Sequence, residues 1–105
     1  MLFARLKADL QTAAEAFVAL DYKSINDNLV HAQQVLFALR DPLDTSTDLG
    51  RSLQSVYSFC LDRLVTTNIQ KDASLLPAVA DIIARLADAN AQAVVALEQD
   101  QRAIA

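Results

Sequence analysis

The chain has 105 residues, 53% of them apolar, with one glycine, two prolines and 6% aromatics, which is material for one domain around a single core. So few turn formers and aromatics exclude an all-β fold and favour helices. Thirteen acidic and nine basic residues leave a net charge of -4 with no run of either sign, so nucleic acid is not an expected partner, because phosphate binding needs a basic stripe. Cys60 is alone, which rules out an intrachain disulfide or a thiolate zinc site and fits a reducing, cytosolic setting. The opening MLFARLKADLQ scatters charge among its apolar residues, unlike a signal peptide, and no apolar run is long enough to span a membrane.

Leu6, Leu10, Ala13, Phe17 and Leu20 recur at helical spacing and predict a first helix over 2–20. Asp21 and Ser24 offer caps for the second, and Ser24 with Asp27 has the form of a capping box with Asp in place of Glu. Ile25, Leu29, Ala32, Leu36, Leu39 and Leu43 then keep a heptad, which predicts a helix over 24–40 ending at Asp41-Pro42. Thr45, Ser46 or Thr47 caps a third helix over 47–67, whose face is Leu49, Leu53, Val56, Tyr57, Cys60, Leu61 and Leu64. Gly50 near its start costs roughly 1 kcal/mol relative to Ala, so either the helix frays there or a neighbouring backbone comes close. A fourth helix over 74–102 follows the polar turn at 68–72, with Ser74 as the cap that best places Pro77 in the first turn. Its stripe is Leu76, Val79, Ile83, Leu86, Ala93 and Leu97, with Asn90 among them.

The expected fold is all-α, an antiparallel four-helix bundle in one domain over 1–105. The second and fourth helices, in LVHAQQVLFAL and LLPAVADIIARLA, carry apolar residues around more than one stripe. That width asks for burial in the middle of the bundle, against a second copy, or against a ligand peptide.

The sequence holds little that could do chemistry. A di-iron bundle needs several Glu and paired Glu-x-x-His motifs, whereas Glu15, Glu98 and His31 are all that is present. No metal, cofactor or catalytic residue is expected, and the chain reads as a non-enzyme. Cys60 lies on an apolar face, where a thiol packs as a small hydrophobe. Tyr57 sits on the core stripe with a hydroxyl that wants a partner, as a core residue or at an interface. Asn68 and Asp72 read as the caps that close the third helix and open the fourth.

The spacing across SLQSVYSFCLDRLVTTNIQKD resembles the signature of the FliS family of flagellar export chaperones. Leu53 and Tyr57 match its Leu and Tyr, Val56 replaces a middle Leu, and Leu64, Asn68 and Asp72 fall where its later residues stand. Ala32, Gln33, Val35 and Leu36 are in register with its Ala-x-x-Ile-Ile helix, and Leu2-Phe3 resembles the Leu-Tyr of its first helix. Asn90 stands where a Trp is typical, the loop at 42–50 is short and lacks the usual Gly pair, and Met1 aligns inside the family's first helix.

The resemblance implies a cytosolic secretion chaperone that binds the disordered C-terminal region of flagellin, stops early polymerisation and passes the client to an export-gate component. Partner contacts are expected at Val35, Leu39, Val56, Tyr57 and Ile83, as apolar residues left exposed, with Leu53, Leu64, Asn68 and Asp72 as the structural motif. The groove is expected to be open or filled by a homodimer. The rival reading is a helical homo-oligomerisation or protein-interaction module unrelated to flagella.

Overall fold

The structure, a computed structural model, describes the backbone of residues 2–104 and the side chains of residues 2–93 and 99. Four helices, α1 (Leu2–Ala19), α2 (Tyr22–Arg40), α3 (Asp48–Gln70) and α4 (Leu76–Ile104), are joined by short connections, the last containing a 3₁₀ turn over Ala73–Leu75. No strand occurs among the described residues. Leu97, expected on the fourth stripe, lies outside the described side chains.

The α1 stripe buries Leu6, Leu10, Ala13 and Ala16. It stops one residue earlier than its apolar period, because Leu20 turns into the left-handed region at φ 56. Asp21 N–H donates to the Ala16 carbonyl at 2.9 Å and Leu20 N–H to that of Phe17 at 3.2 Å, the two bonds of a Schellman motif. The chain reverses there, so Leu20 is 67% exposed instead of continuing the core line. Asp21 then caps α2 by accepting from Ser24 N–H at 3.1 Å. The capping box expected of Ser24 and Asp27 does not form, since Asp27 accepts from Lys23 at 2.8 Å, one turn back on the outer face.

Thr47 caps α3 by accepting from Gly50 N–H at 3.0 Å while donating to the Asp44 carbonyl at 2.9 Å. This folds the connection down onto the helix so closely that a β-carbon on Gly50 would stand 1.8 Å from the Asp44 carbonyl oxygen. Of the two readings of the glycine, close backbone approach is therefore the one found. Leu49, expected on the core face, is 70% exposed, because the apolar period of α3 reaches its partners only from Leu53 onward. At the other end α3 runs to Gln70, and Lys71 closes it in the left-handed region at φ 52. Asp72, not Ser74, is the capping acceptor, taking Ser74 N–H at 3.0 Å and the Ser74 hydroxyl at 2.6 Å.

Each helix packs chiefly on two others, α1 on α2 and α4, α3 on α2 and α4, which makes a ring of four. Asn68 of α3 donates to Asn26 at the start of α2 at 2.9 Å, and Arg40 at the end of α2 donates to Ser58 earlier in α3 at 3.4 Å. Ascending numbers on one helix thus meet descending numbers on the other, and the pair is antiparallel. Inside the ring Leu6, Ile25, Leu29, Leu36, Leu64, Val79 and Ile83 are 0% exposed and belong to one continuous core. A polar contact crosses that core's edge, where His31 Nδ1 donates to Asp9 Oδ2 at 2.5 Å and ties α2 to α1. Residues 88–93 of α4, Asn90 included, are exposed. The 29 residues of α4 span about 43 Å at helical rise, longer than any neighbour, so this part runs beyond the core.

Candidate functional site

The helices of this ring meet unevenly, and where two of them part the surface between is apolar. On α3, Tyr57, Cys60, Leu61 and Leu64 take the inward face. The 3.6-residue period then leaves Val56 and Phe59 at its edge, with Phe59 44% exposed. Across from them stand Ile82, Arg85 and Leu86 of α4, and with Ser55 these residues line an open recess of about 450 Å³. The Arg63 guanidinium lies 5.1 Å from the Phe59 ring centre, a cation–π contact that holds the ring at the rim. Arg85 is paired with Asp81 at 3.1 Å.

A second recess, of about 360 Å³, lies between α1 and the start of α4. Leu10, Phe17 and Leu76 form its floor, and the small side chains of Ala14, Ala73 and Ala80, with Pro77, leave the space unfilled. Lys7 and Gln11 bring polar groups to one end, and Val18, 88% exposed, stands near the other. Pro77 is the second residue of α4, where the backbone donor it lacks would have no helical partner.

Among the residues expected to touch a partner, only Val56 lines a recess. Leu39 is half-buried against the core. Val35 and Ile83 are core residues, 6% and 0% exposed, so the expectation that they lie on an exposed face is corrected: the apolar width of α2 and α4 that stays at the surface is carried by other residues, Val30 and Phe37 on α2 and Ile82 and Leu86 at the recess. Tyr57 is 5% exposed. Burial, and then the neighbouring Cys60, pushes its phenol above the ordinary value. Leu53 is half-buried, Leu64 fully buried. Asn68 is not a cap but a bridge, accepting from Lys71 while donating to Asn26, and Asp72 caps the entry to α4.

Phe59, Ile82 and the α1/α4 recess are not found by the sequence reading, and Leu86 is read there as core stripe alone. The signal for Phe59 is its place three residues after Val56, a second apolar line beside the main stripe. For Phe17 it was present but read as core alone.

Burial raises the Cys60 thiol to about 11, so it stays protonated at neutral pH and is a poor nucleophile. No group of three metal-ligating side chains occurs among the described residues, and no helix is long and apolar enough to cross a membrane. Among the described residues the surface includes the α3/α4 and α1/α4 apolar hollows, suited to receiving side chains from a partner.

The chain is 29% identical over 92 residues to the flagellar secretion chaperone FliS of Bacillus subtilis (strain 168), an alignment covering 88% of this chain and 69% of that protein. The family described as flagellar protein FliS matches residues 1–97. With that match spanning nearly all of the four-helix ring, the chain belongs to the FliS family.

Proposed function

We propose that this chain is a flagellar secretion chaperone that binds the disordered C-terminal region of flagellin in the cytosol, prevents its early polymerisation and releases it at the export gate. The observation that carries the reading is the α3/α4 recess, in which Val56 and Phe59 stand beside Ile82 and Leu86 on the surface of a FliS-family chain. A flagellin segment that is unstructured when free would fold into a helix as its apolar face enters the recess. Each square ångström of apolar surface removed from water contributes about 25 cal/mol. Ordering the segment offsets much of that gain, which keeps the complex releasable.

In this reading Val56 and Phe59 touch the client directly, and Leu39 extends the apolar surface along α2. Tyr57, 5% exposed, supports the α3 wall from the core side. Val35 and Ile83 act from beneath, holding the helices that form the walls. No cofactor or metal is needed, because the task is to hold a partner and not to transform it.

The test is filament growth by purified flagellin with and without an equimolar amount of this chain, followed by sedimentation. Growth is expected to stop with the wild-type chain and to resume with Val56→Asp. Unchanged growth together with absence of binding by calorimetry would overturn the proposal. Should light scattering then show a stable dimer, the homo-oligomerisation reading would take its place.

A further inference from the structure

Arg51 and Arg85 each find a carboxylate about one turn back on their own helix, Asp48 and Asp81 respectively. Arg63 finds an aromatic ring at that spacing: its guanidinium lies 5.1 Å from the centre of Phe59. The carboxylate beside it, Asp62 Oδ2, is 3.9 Å from Arg63 Nε, beyond hydrogen-bond reach, and Nε is fully buried without an acceptor. A buried donor with no partner works against this placement. The ring favours it, because a guanidinium is weakly hydrated and stacks on an aromatic face. The contact that places Arg63 is therefore with the ring and not with an acid.

The ring itself lacks other support. Ile82 and Leu86, on the α4 side of the α3/α4 recess, pack against the core, which fixes that wall. Phe59 is 44% exposed and belongs neither to the core nor to the half-buried side chains packed on it. On a helix a large side chain has two χ1 wells open to it, near 180° and −60°, and core packing does not choose between them at this position. Val56, Phe59 and Arg63 fall within about 60° of one helical face, so Arg63 stands on the recess edge of α3, one turn beyond the ring on the side away from Val56. A cation against the ring stabilises the well in which the two meet.

Resting on the chaperone reading above, we propose that Arg63 is a positioning residue for client binding: it presets the Phe59 ring as the α3 wall of the recess and does not touch the client itself. A ring ordered before the encounter loses its rotamer freedom on folding and not on binding, which raises affinity without adding a contact. Arg63 then matters to the client only while residue 59 is aromatic, and that dependence separates positioning from a direct charge contact.

The experiment is a double-mutant cycle by fluorescence anisotropy. A labelled synthetic peptide of the flagellin C-terminal region is titrated with the full chain, Arg63→Gln, Phe59→Leu and the double variant. Gln keeps most of the Arg stem without the cation, and Leu keeps an apolar wall without the ring. Arg63→Gln is expected to weaken binding about two- to fivefold in the wild-type background, the range of an exposed cation–π contact, and to leave affinity unchanged in the Phe59→Leu background. In the free chain the ring-proton resonances of Phe59, identified by their loss in Phe59→Leu, are expected to move in Arg63→Gln. Equal losses in both backgrounds would mean that Arg63 meets the client directly and would overturn the inference, as would undiminished affinity of Arg63→Gln or unmoved ring resonances. Absence of any binding by the wild-type chain would instead sink the chaperone reading beneath it. Unfolding midpoints close to wild type separate these effects from a loss of folding.

Discussion

Replacing Gly50 by Ala sets two effects of opposite sign against each other. By helix propensity alone the change at a position inside α3 should stabilise the protein by about 1 kcal/mol. The structure predicts the reverse. The new β-carbon would lie 1.8 Å from the Asp44 carbonyl oxygen and 2.9 Å from the Thr47 hydroxyl, and a backbone atom cannot swing aside as a side-chain tip can. The connection over residues 41–47 must therefore lift. Lifting it breaks the Thr47 bond to Asp44 and loosens the Thr47 cap on Gly50 N–H, and a lost N-cap costs about 0.5–2 kcal/mol. Leu43, packed from this connection onto the core, would lose part of its burial as well, at roughly 1 kcal/mol for about one methylene of apolar surface. After the propensity gain, a net loss of about 0.5–2 kcal/mol remains, equivalent to a midpoint lower by about 2–16 °C for a domain of this size. Urea unfolding followed by circular dichroism measures it directly. A Gly50→Ala protein that is more stable than wild type would refute the close approach of Asp44 and leave only the propensity argument standing.

Leu20→Gly should act in the opposite direction. The left-handed backbone at φ 56 strains a leucine, whose side chain is 67% exposed and gives up little packing, so an unfolding free energy higher by about 0.5–1 kcal/mol is expected; a lower stability contradicts the Schellman geometry. His31→Ala leaves the Asp9 carboxylate, 9% exposed, without its partner and should cost about 1–3 kcal/mol. Adding Asp9→Ala should then cost less than it does alone, and strict additivity in that cycle would mean that the two side chains do not interact. Cys60 predicts an alkaline limit: its thiol titrates at about 11 in the fold against an ordinary 9.0, so above 9.0 the unfolded chain ionises first and binds fewer protons. Stability contributed by the neutral thiol is complete below that pH and declines as pH rises towards 11; a Cys60→Ala variant should lack this part of the decline, and equal slopes for both proteins would count against the burial of the thiol.

Much of the fold is legible in the sequence where one apolar period runs through the middle of a helix. Leu6, Leu10 and Ala13, or Ile25, Leu29, Ala32 and Leu36, announce their own burial because every third or fourth residue must meet the same neighbour. The ends are where this fails. Leu20 and Leu49 continue the period, yet one lies past a left-handed turn and the other before the first cross-helix contact. Both are exposed for reasons of chain reversal that no local pattern contains. Asp9 breaks its stripe with a carboxylate whose partner, His31, lies on another helix, so nothing near it in the sequence explains it.

The candidate site is less legible than the core. Periodicity identifies apolar width but not which part of it the ring fills. Val35 and Ile83 point into the ring and are buried, while Val56 and Phe59 line the recess between α3 and α4, and only helix packing distinguishes these cases. The α1/α4 recess depends on what is missing: Ala14, Ala73, Ala80 and Pro77 leave a hollow because they are small. A hollow has no periodic signature.

The central claim is that apolar residues between α3 and α4 hold flagellin. Isothermal calorimetry of a flagellin C-terminal peptide against the wild-type chain, Val56→Asp and Phe59→Ala tests it most directly, with thermal midpoints as the control for folding. The account predicts a saturable wild-type isotherm, a tenfold or greater loss of affinity for Val56→Asp (about 1.4 kcal/mol or more), a smaller loss for Phe59→Ala, and midpoints close to wild type. Binding that is undiminished in both variants would contradict it.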